Sequence, residues 1–231
     1  MNRTLNEEMM SYYDRRAPEY DDIYIGKGPV SIPDPALYKN EAQVTAKIVS
    51  TFGTGHLIDI ACRTGYWLPY YARNCSKITL IDQSEKMLSE CRSRVDELGI
   101  RDKCDLIQSD FFKASFRNNL FDRALVGFLF SHLSLEEEET FFKRLQRILK
   151  PDPQLMVVDS TWSKRRQQYR QKEGVQERAL NDGRTFAVYK RYFSKSDIEE
   201  TLLRHHFQLD SYWEGDAWFT ARCVKVNKDI A

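Results

Sequence analysis

The sequence predicts an α/β protein built on a doubly wound, mostly parallel sheet of about seven strands with an antiparallel C-terminal strand. Three observations predict it. Short apolar runs of strand character alternate with amphipathic helical stretches through residues 56–159. Those runs are apolar on both faces, as strands covered by helices on two sides must be. Acidic residues, Asp59 within the first run and Asp82 at the end of the second, lie near the edge where an open α/β sheet holds its ligands.

The first forty residues hold a helical stretch near 5–20, then a Gly/Pro-rich loop from Gly26 to Pro35. His56–Ile60 reads as the first strand and Lys77–Asp82 as the second. Ser84 can cap a helix that buries Met87, Leu88, Cys91 and Val95 and stops at Gly99. Cys104–Gln108 is the third strand and Phe121–Phe128 the fourth. Ser134 and Glu137 have capping-box spacing, and they open a helix through Phe141, Leu145 and Ile148 that Pro151 stops. Glu136–Glu139 reads as the acidic first turn of that helix. Gln154–Asp159 is the fifth strand. Residues 184–193 are strand-like after the turn Asn181-Asp-Gly183. Ser194 with Asp197 opens a last helix, and 207–213 with 218–226 read as an antiparallel strand pair.

The chain has 231 residues, 42% hydrophobic and 30% charged, with a net charge of +1. That is an ordinary globular balance. A near-neutral charge supplies no field for nucleic acid or an anionic membrane. No stretch is long and apolar enough to cross a bilayer. The N-terminus lacks the apolar core of a signal peptide. Five cysteines, at 62, 75, 91, 104 and 223, form no C-x-x-C pair, so free thiols and a cytoplasmic location are expected. The four histidines (56, 132, 205, 206) do not pair with them at ligand spacing, so no metal site is expected. His205 and His206 read as structural or solvated.

The most informative segment is Leu57-Ile-Asp-Ile-Ala-Cys-Arg-Thr-Gly-Tyr-Trp67. There a buried strand carrying an acid runs into a loop of small residues that turns into a helix. The segment resembles motif I of the class I S-adenosylmethionine-dependent methyltransferases, acidic-x-Gly-x-Gly-x-Gly, read here as Asp59-x-Ala61-x-Arg63-x-Gly65. Further stations of that family follow in order. Asp82 matches the acid that holds the ribose hydroxyls, with Gln83 and Met87 beside it; a carboxylate can accept from both hydroxyls of a cis-diol. Asp110 with Phe111 matches the pair at the adenine. Gly127 to His132 falls where the family places the methionine end and the reacting centre. Tyr12-Tyr-Asp-Arg-Arg-Ala-Pro-Glu-Tyr-Asp21 resembles an N-terminal segment of small-molecule members, including relatives of quinone-ring methyltransferases, with Tyr13 and Tyr20 over the cofactor.

The resemblance implies a Rossmann-like fold, S-adenosyl-L-methionine as cofactor and methyl transfer to a small molecule. It divides the single domain into an N-terminal lid (1–40), a cofactor-binding core (41–160), a substrate-lid insertion (161–193) and a C-terminal helix and strand pair (194–231). Oligomeric state and acceptor atom (O, N or C) stay open.

Asp59, Asp82, Asp110 and the tyrosines also have plainer readings as caps, turn residues or helix packing. Arg63 departs from the family, because glycine there permits close backbone approach and a left-handed conformation. It can turn outward, pair with a carboxylate of cofactor or substrate, or mark a binding protein with lost or non-transfer catalysis. His132 is the candidate base for an oxygen acceptor, with a packed histidine as its plainer reading. Trp162, Tyr169, Tyr189 and Tyr192 are candidates for an aromatic pocket. The basic run Ser163–Lys172 either attracts an acidic substrate or forms a solvated helix face. An adenine-directed nucleic-acid enzyme would carry Asn/Asp-Pro-Pro-aromatic after the fourth strand, where Gly127-Phe-Leu-Phe130 stands. A nicotinamide enzyme would need Gly-x-Gly-x-x-Gly, of which only Gly65 is present.

Overall fold

The computed structural model describes residues 3–226. The chain opens with α1 (Arg3–Arg16) and a 3-10 segment over Ala17–Ile25, followed by α2 (Pro35–Ser50). Then come β1 (Gly55–Ile60), the single turn α3 (Leu68–Tyr71), β2 (Cys75–Asp82), α4 (Glu85–Glu97), β3 (Cys104–Gln108) and β4 (Phe121–Gly127). The second half holds α5 (Leu135–Ile148), β5 (Leu149–Ser160), β6 (Glu173–Ala179), β7 (Thr185–Arg191), α6 (Lys195–Arg204), β8 (Phe207–Glu214) and β9 (Trp218–Lys225).

Seven strands form one sheet in the order β3-β2-β1-β4-β5-β9-β8. Strand β9 runs antiparallel to both neighbours and the others are parallel. The predicted doubly wound sheet with its antiparallel C-terminal strand is therefore present. Alternation along each strand divides the core in two. Leu57, Leu80, Leu125 and Met156 face α2 and α4. Ile58, Ile81, Ala124 and Val157 face α5 and α6. The strand order reverses between β1 and β4, which opens a crevice at their carboxyl ends.

The predicted caps form. Ser84 accepts from the Met87 N–H, and both Ser134/Glu137 and Ser194/Asp197 make complete capping boxes. The acidic turn of α5 does more than satisfy the helix dipole. Glu138 is buried and takes Arg191 and Arg204 at 3.2 Å each, tying α5 to β7 and α6. His205 is structural, stacked on Phe142 with centroids 4.1 Å apart.

Two expectations change. The fifth strand starts five residues early, because Leu149 pairs with Phe121 and a register shift absorbs the Pro151 region. The basic run 163–172 is not a helix face. It makes one 3-10 turn (Arg166–Gln168), held by the Ser163 hydroxyl on the Arg166 N–H at 3.1 Å, and Arg166 is buried. The chain then forms β6, which pairs only with β7. This hairpin packs on α1 through Tyr12, Val188 and Phe186, and the Glu8 carboxylate accepts the Ala187 N–H at 2.6 Å. Together α1 and the hairpin cover the crevice.

Candidate functional site

A cavity of about 620 Å³ lies at the carboxyl ends of β1, β2 and β3, inside the ~300–1,000 Å³ range of small-molecule sites. Tyr13, Ala61, Arg63, Asp82, Gln83, Met87, Asp110, Phe111 and His132 are on its wall. Asp59, Gly65, Gly127 and Tyr20 are not.

Each of those four has a physical reason to stand back. Asp59 is buried and its carboxylate accepts the Tyr71 hydroxyl at 2.7 Å, towards α3. Burial raises its pKa to about 7, against the Tyr71 hydrogen bond and the Arg63 charge. Gly65 shapes the turn into α3: its φ is +69°, and a Cβ would meet the Cys91 sulfur at 2.8 Å. Gly127 lends a carbonyl to Arg63. Tyr20 lines a second, inner chamber instead.

The loop is built around Asp82. One carboxylate oxygen accepts the Arg63 N–H at 3.0 Å and the other the Ser84 N–H at 2.9 Å. Ser84, not Asp82, caps α4, and each Asp82 oxygen keeps a further lone pair. Burial raises the Asp82 pKa, opposed by the Ser84 N–H and Arg63. Asp110 likewise accepts the Phe112 N–H at 2.9 Å while facing the cavity.

Ala61 and Arg63 adopt left-handed φ values of 57° and 53°, and so does Phe128 at 51°. The backbone thus takes the conformation that motif glycines usually provide, at a strain of about 1–3 kcal/mol for each non-glycine residue. Arg63 does not turn outward. Its guanidinium folds back on β4, donating to the Gly127 carbonyl, to Phe128 O at 2.6 Å and to Ala61 O at 3.1 Å. Tyr13, Tyr20 and Phe128 surround it at 5.8, 5.6 and 5.8 Å from their ring centroids. Arg63 stays protonated: burial works against its charge, but Tyr20, Tyr13 and Asp82 more than offset that.

His132 sits on a 3-10 turn after β4. Its Nδ1 is 2.7 Å from the Tyr189 carbonyl and its Nε2 2.7 Å from the Tyr13 hydroxyl. The carbonyl can only accept, so Nδ1 carries the proton and Nε2 accepts from Tyr13. Burial, with Lys190 and Arg63 nearby, holds its pKa well below the ordinary imidazole value. His132 is neutral, and its lone pair is already taken.

Tyr13 and His132 also line the inner chamber, of about 60 Å³. Its wall carries Arg16, Arg166, Arg178, Lys190 and Tyr192 beside Tyr20, Tyr38 and Trp218. Of the predicted aromatic pocket only Tyr192 is there. Trp162 stacks behind it at 6.1 Å, Tyr169 is exposed, and the Tyr189 side chain bonds Glu173.

The sequence reading does not single out the two aspartates of the N-terminal Tyr-Asp segment. Asp14 of α1 accepts the Ser84 hydroxyl. Asp21 accepts Thr64 at 2.6 Å and Arg94 at 2.7 Å. These bonds clasp the N-terminal segment over the crevice. The signal available for them was the Tyr-Asp spacing at 13–14 and 20–21.

Comparison with known proteins places this geometry. Residues 57–152 match the family described as a methyltransferase domain. A phosphatidylethanolamine N-methyltransferase of Cereibacter sphaeroides is 29% identical over 115 residues, 50% of this chain and 55% of that protein. A ubiquinone/menaquinone biosynthesis C-methyltransferase of Pseudomonas entomophila is 27% identical over 106 residues, 45% of this chain and 41% of that protein. The chain thus spans about half the length of the curated relatives it matches. Among solved structures, DhpI superposes with TM-score 0.76 in its SAH complex, at 21% identity over 99% of this chain and 100% of DhpI. In its SAM–HEP complex the TM-score is 0.76 at 24% identity, over 96% and 99%.

Proposed function

We propose that the chain, whose residues 57–152 match a methyltransferase domain and whose fold is that of solved S-adenosylmethionine-dependent methyltransferases, methylates a small-molecule acceptor. The observation that carries this is the paired arrangement of cavities. A ligand-sized cavity beside Asp82 and Asp110 meets a smaller chamber across the Tyr13–His132 wall.

In this reading Asp82 takes the ribose hydroxyls, with Gln83 and Met87 flanking them. Asp110 and Phe111 hold the adenine. Arg63 offers its charge to the carboxylate at the methionine end. Bound there, S-adenosylmethionine would supply a sulfonium methyl group with a neutral thioether as its leaving group. The protein's part is to align, enclose and exclude water. Helix α1 and the β6–β7 hairpin are the lid, latched by Asp14–Ser84 and Asp21–Arg94. His132 is a positioning residue in this scheme. With a depressed pKa and an engaged Nε2 it is a poor base, so the acceptor arrives already nucleophilic.

The chamber's small volume, about 60 Å³, supports a small acceptor. Among the described residues no helix is long and apolar enough to cross a membrane. The five cysteines are free thiols, which supports a reducing, cytoplasmic setting. Calorimetry with S-adenosylhomocysteine tests the reading. The native chain binds one equivalent, and Asp82→Asn binds at least roughly tenfold more weakly, through lost charge-assisted hydrogen bonds. Absence of binding by the native chain overturns it.

A further inference from the structure

The inner chamber holds more positive charge than the fold accounts for. Arg16, Arg166, Arg178 and Lys190 reach its wall from α1, from the turn after β5, from β6 and from β7, and all four are at most 8% exposed. Among the described residues the three arginines make no ion pair with any Asp or Glu. Lys190 alone has a carboxylate near it, Asp159 at 3.7 Å. Unpaired buried charge is costly, and natural proteins seldom keep it without a partner.

The donors are also incompletely used. Arg16 spends one nitrogen on the Tyr12 hydroxyl at 3.0 Å, while its Nε and Nη2 are buried without a partner. The Nε of Arg166 is likewise unpartnered. Arg178 donates to the Tyr192 hydroxyl at 3.0 Å, and the Arg166 guanidinium lies 4.6 Å from the centre of that ring. Two arginines therefore converge on Tyr192 from the hairpin side, and Arg16 faces them from α1 with free N–H groups.

Resting on the methyl-transfer reading above, we propose that this chamber is the acceptor site and that it takes a doubly charged tetrahedral oxyanion, a phosphate or phosphonate carried on a short stem. Guanidinium forks match such oxygens geometrically. Four cations against one nearby carboxylate suit a dianion better than a monoanion. Size agrees: at roughly 10–15 Å³ per water position, a chamber of about 60 Å³ accommodates one tetrahedral group and little else. The Tyr13–His132 wall is where the two cavities adjoin, so an acceptor anchored among these cations has its remaining atoms directed towards the methyl donor.

The test is calorimetry on the full chain preloaded with S-adenosylhomocysteine, titrated separately with methylphosphonate, inorganic phosphate and acetate. Methylphosphonate binds at least as tightly as inorganic phosphate, and acetate does not bind over the same range. Arg16→Gln and Arg166→Gln each weaken methylphosphonate by roughly ten- to a hundredfold, while their affinity for S-adenosylhomocysteine, read on the same samples, stays within about twofold and reports a folded chain. Binding of S-adenosylhomocysteine with no oxyanion binding overturns the chamber assignment. So does acetate binding as tightly as methylphosphonate, or inorganic phosphate binding where methylphosphonate is excluded. Failure to bind S-adenosylhomocysteine strikes the methyl-transfer reading instead, and methylphosphonate titrated alone then still reads the chamber.

Discussion

The Tyr13 hydroxyl donates to Nε2 of His132 across 2.7 Å, and the two rings meet edge-on with centroids 5.5 Å apart. One residue comes from the N-terminal helix and the other from the turn after β4, so the bond closes the wall between the two cavities. Burial and the nearby cations keep His132 neutral. Tyr13 keeps its proton too, because burial raises its pKa beyond any working pH. Turnover should therefore show no inflection near the ordinary histidine value. Tyr13→Phe removes one neutral hydrogen bond, worth about 1 kcal/mol. We expect roughly a fivefold loss of kcat/KM, with little change in S-adenosylhomocysteine affinity. A bell-shaped profile with a limb near 6.5 in the native chain, abolished in His132→Gln, would show that the histidine is the base after all.

Arg63 sets the backbone's strain against its side chain's bonds. Replacement by glycine relieves a left-handed φ, a gain of about 1–3 kcal/mol. It also removes donors from the Gly127, Phe128 and Ala61 carbonyls, bonds worth about 1.5–3 kcal/mol each when the donor is charged. The bonds win, by at least about 2 kcal/mol on these figures. Arg63→Gly should lower Tm by at least roughly 4 °C for a chain of this size. A variant that melts higher than the native chain would mean that the guanidinium is not bracing the β4 loop.

Asp59 gives a pH signature. Its pKa rises on folding from 3.8 to about 7, chiefly by burial. A group raised in the folded state contributes stability that is complete below its unfolded pKa and is lost as pH climbs through the folded one. Asp59→Asn keeps an acceptor for Tyr71 and removes the ionisation. The variant's Tm should therefore gain on the native chain's as pH rises from about 4 to about 7, then hold a constant offset. A Tm difference independent of pH across that window would place the Asp59 titration elsewhere.

The sheet was legible because each of its buried strands is an apolar run bounded by turn chemistry. The wall of the larger cavity was legible because Asp82 and Asp110 follow strands in a fixed order. The inner chamber was not. Strand β6 alternates between exposed and partly buried positions, its apolar Val175 points outward, and Arg178 is its one buried side chain, so hydrophobic periodicity has nothing to register. Arg16 and Lys190 stand in ordinary charged stretches. Nothing local says that Arg166 turns inward while its neighbour Arg165 pairs outward with Asp34 at 3.0 Å. Asp59 shows the converse. A motif position can be right in sequence while its side chain serves the packing behind the loop.

Tyr192 supplies a further check on the charge of the chamber. Burial works to raise its pKa, but Arg178, Arg166 and Lys190 outweigh that and bring it down to about 7. In the ligand-free chain, one of the twelve tyrosines should thus ionise near neutral pH, visible as tyrosinate absorbance in the near ultraviolet. Its folded pKa lies below the unfolded value of about 10, so the stability it contributes is fully present above that value and is lost as pH falls through about 7. A dianion in the chamber is a like charge beside the phenolate and neutralises the cations that stabilise it. Saturating methylphosphonate should therefore move the midpoint upward, and Tyr192→Phe should remove the neutral transition altogether. A midpoint that stays near 7 in the presence of the anion would mean that the cations answer to Tyr192 alone and that the chamber has no place for a second negative charge.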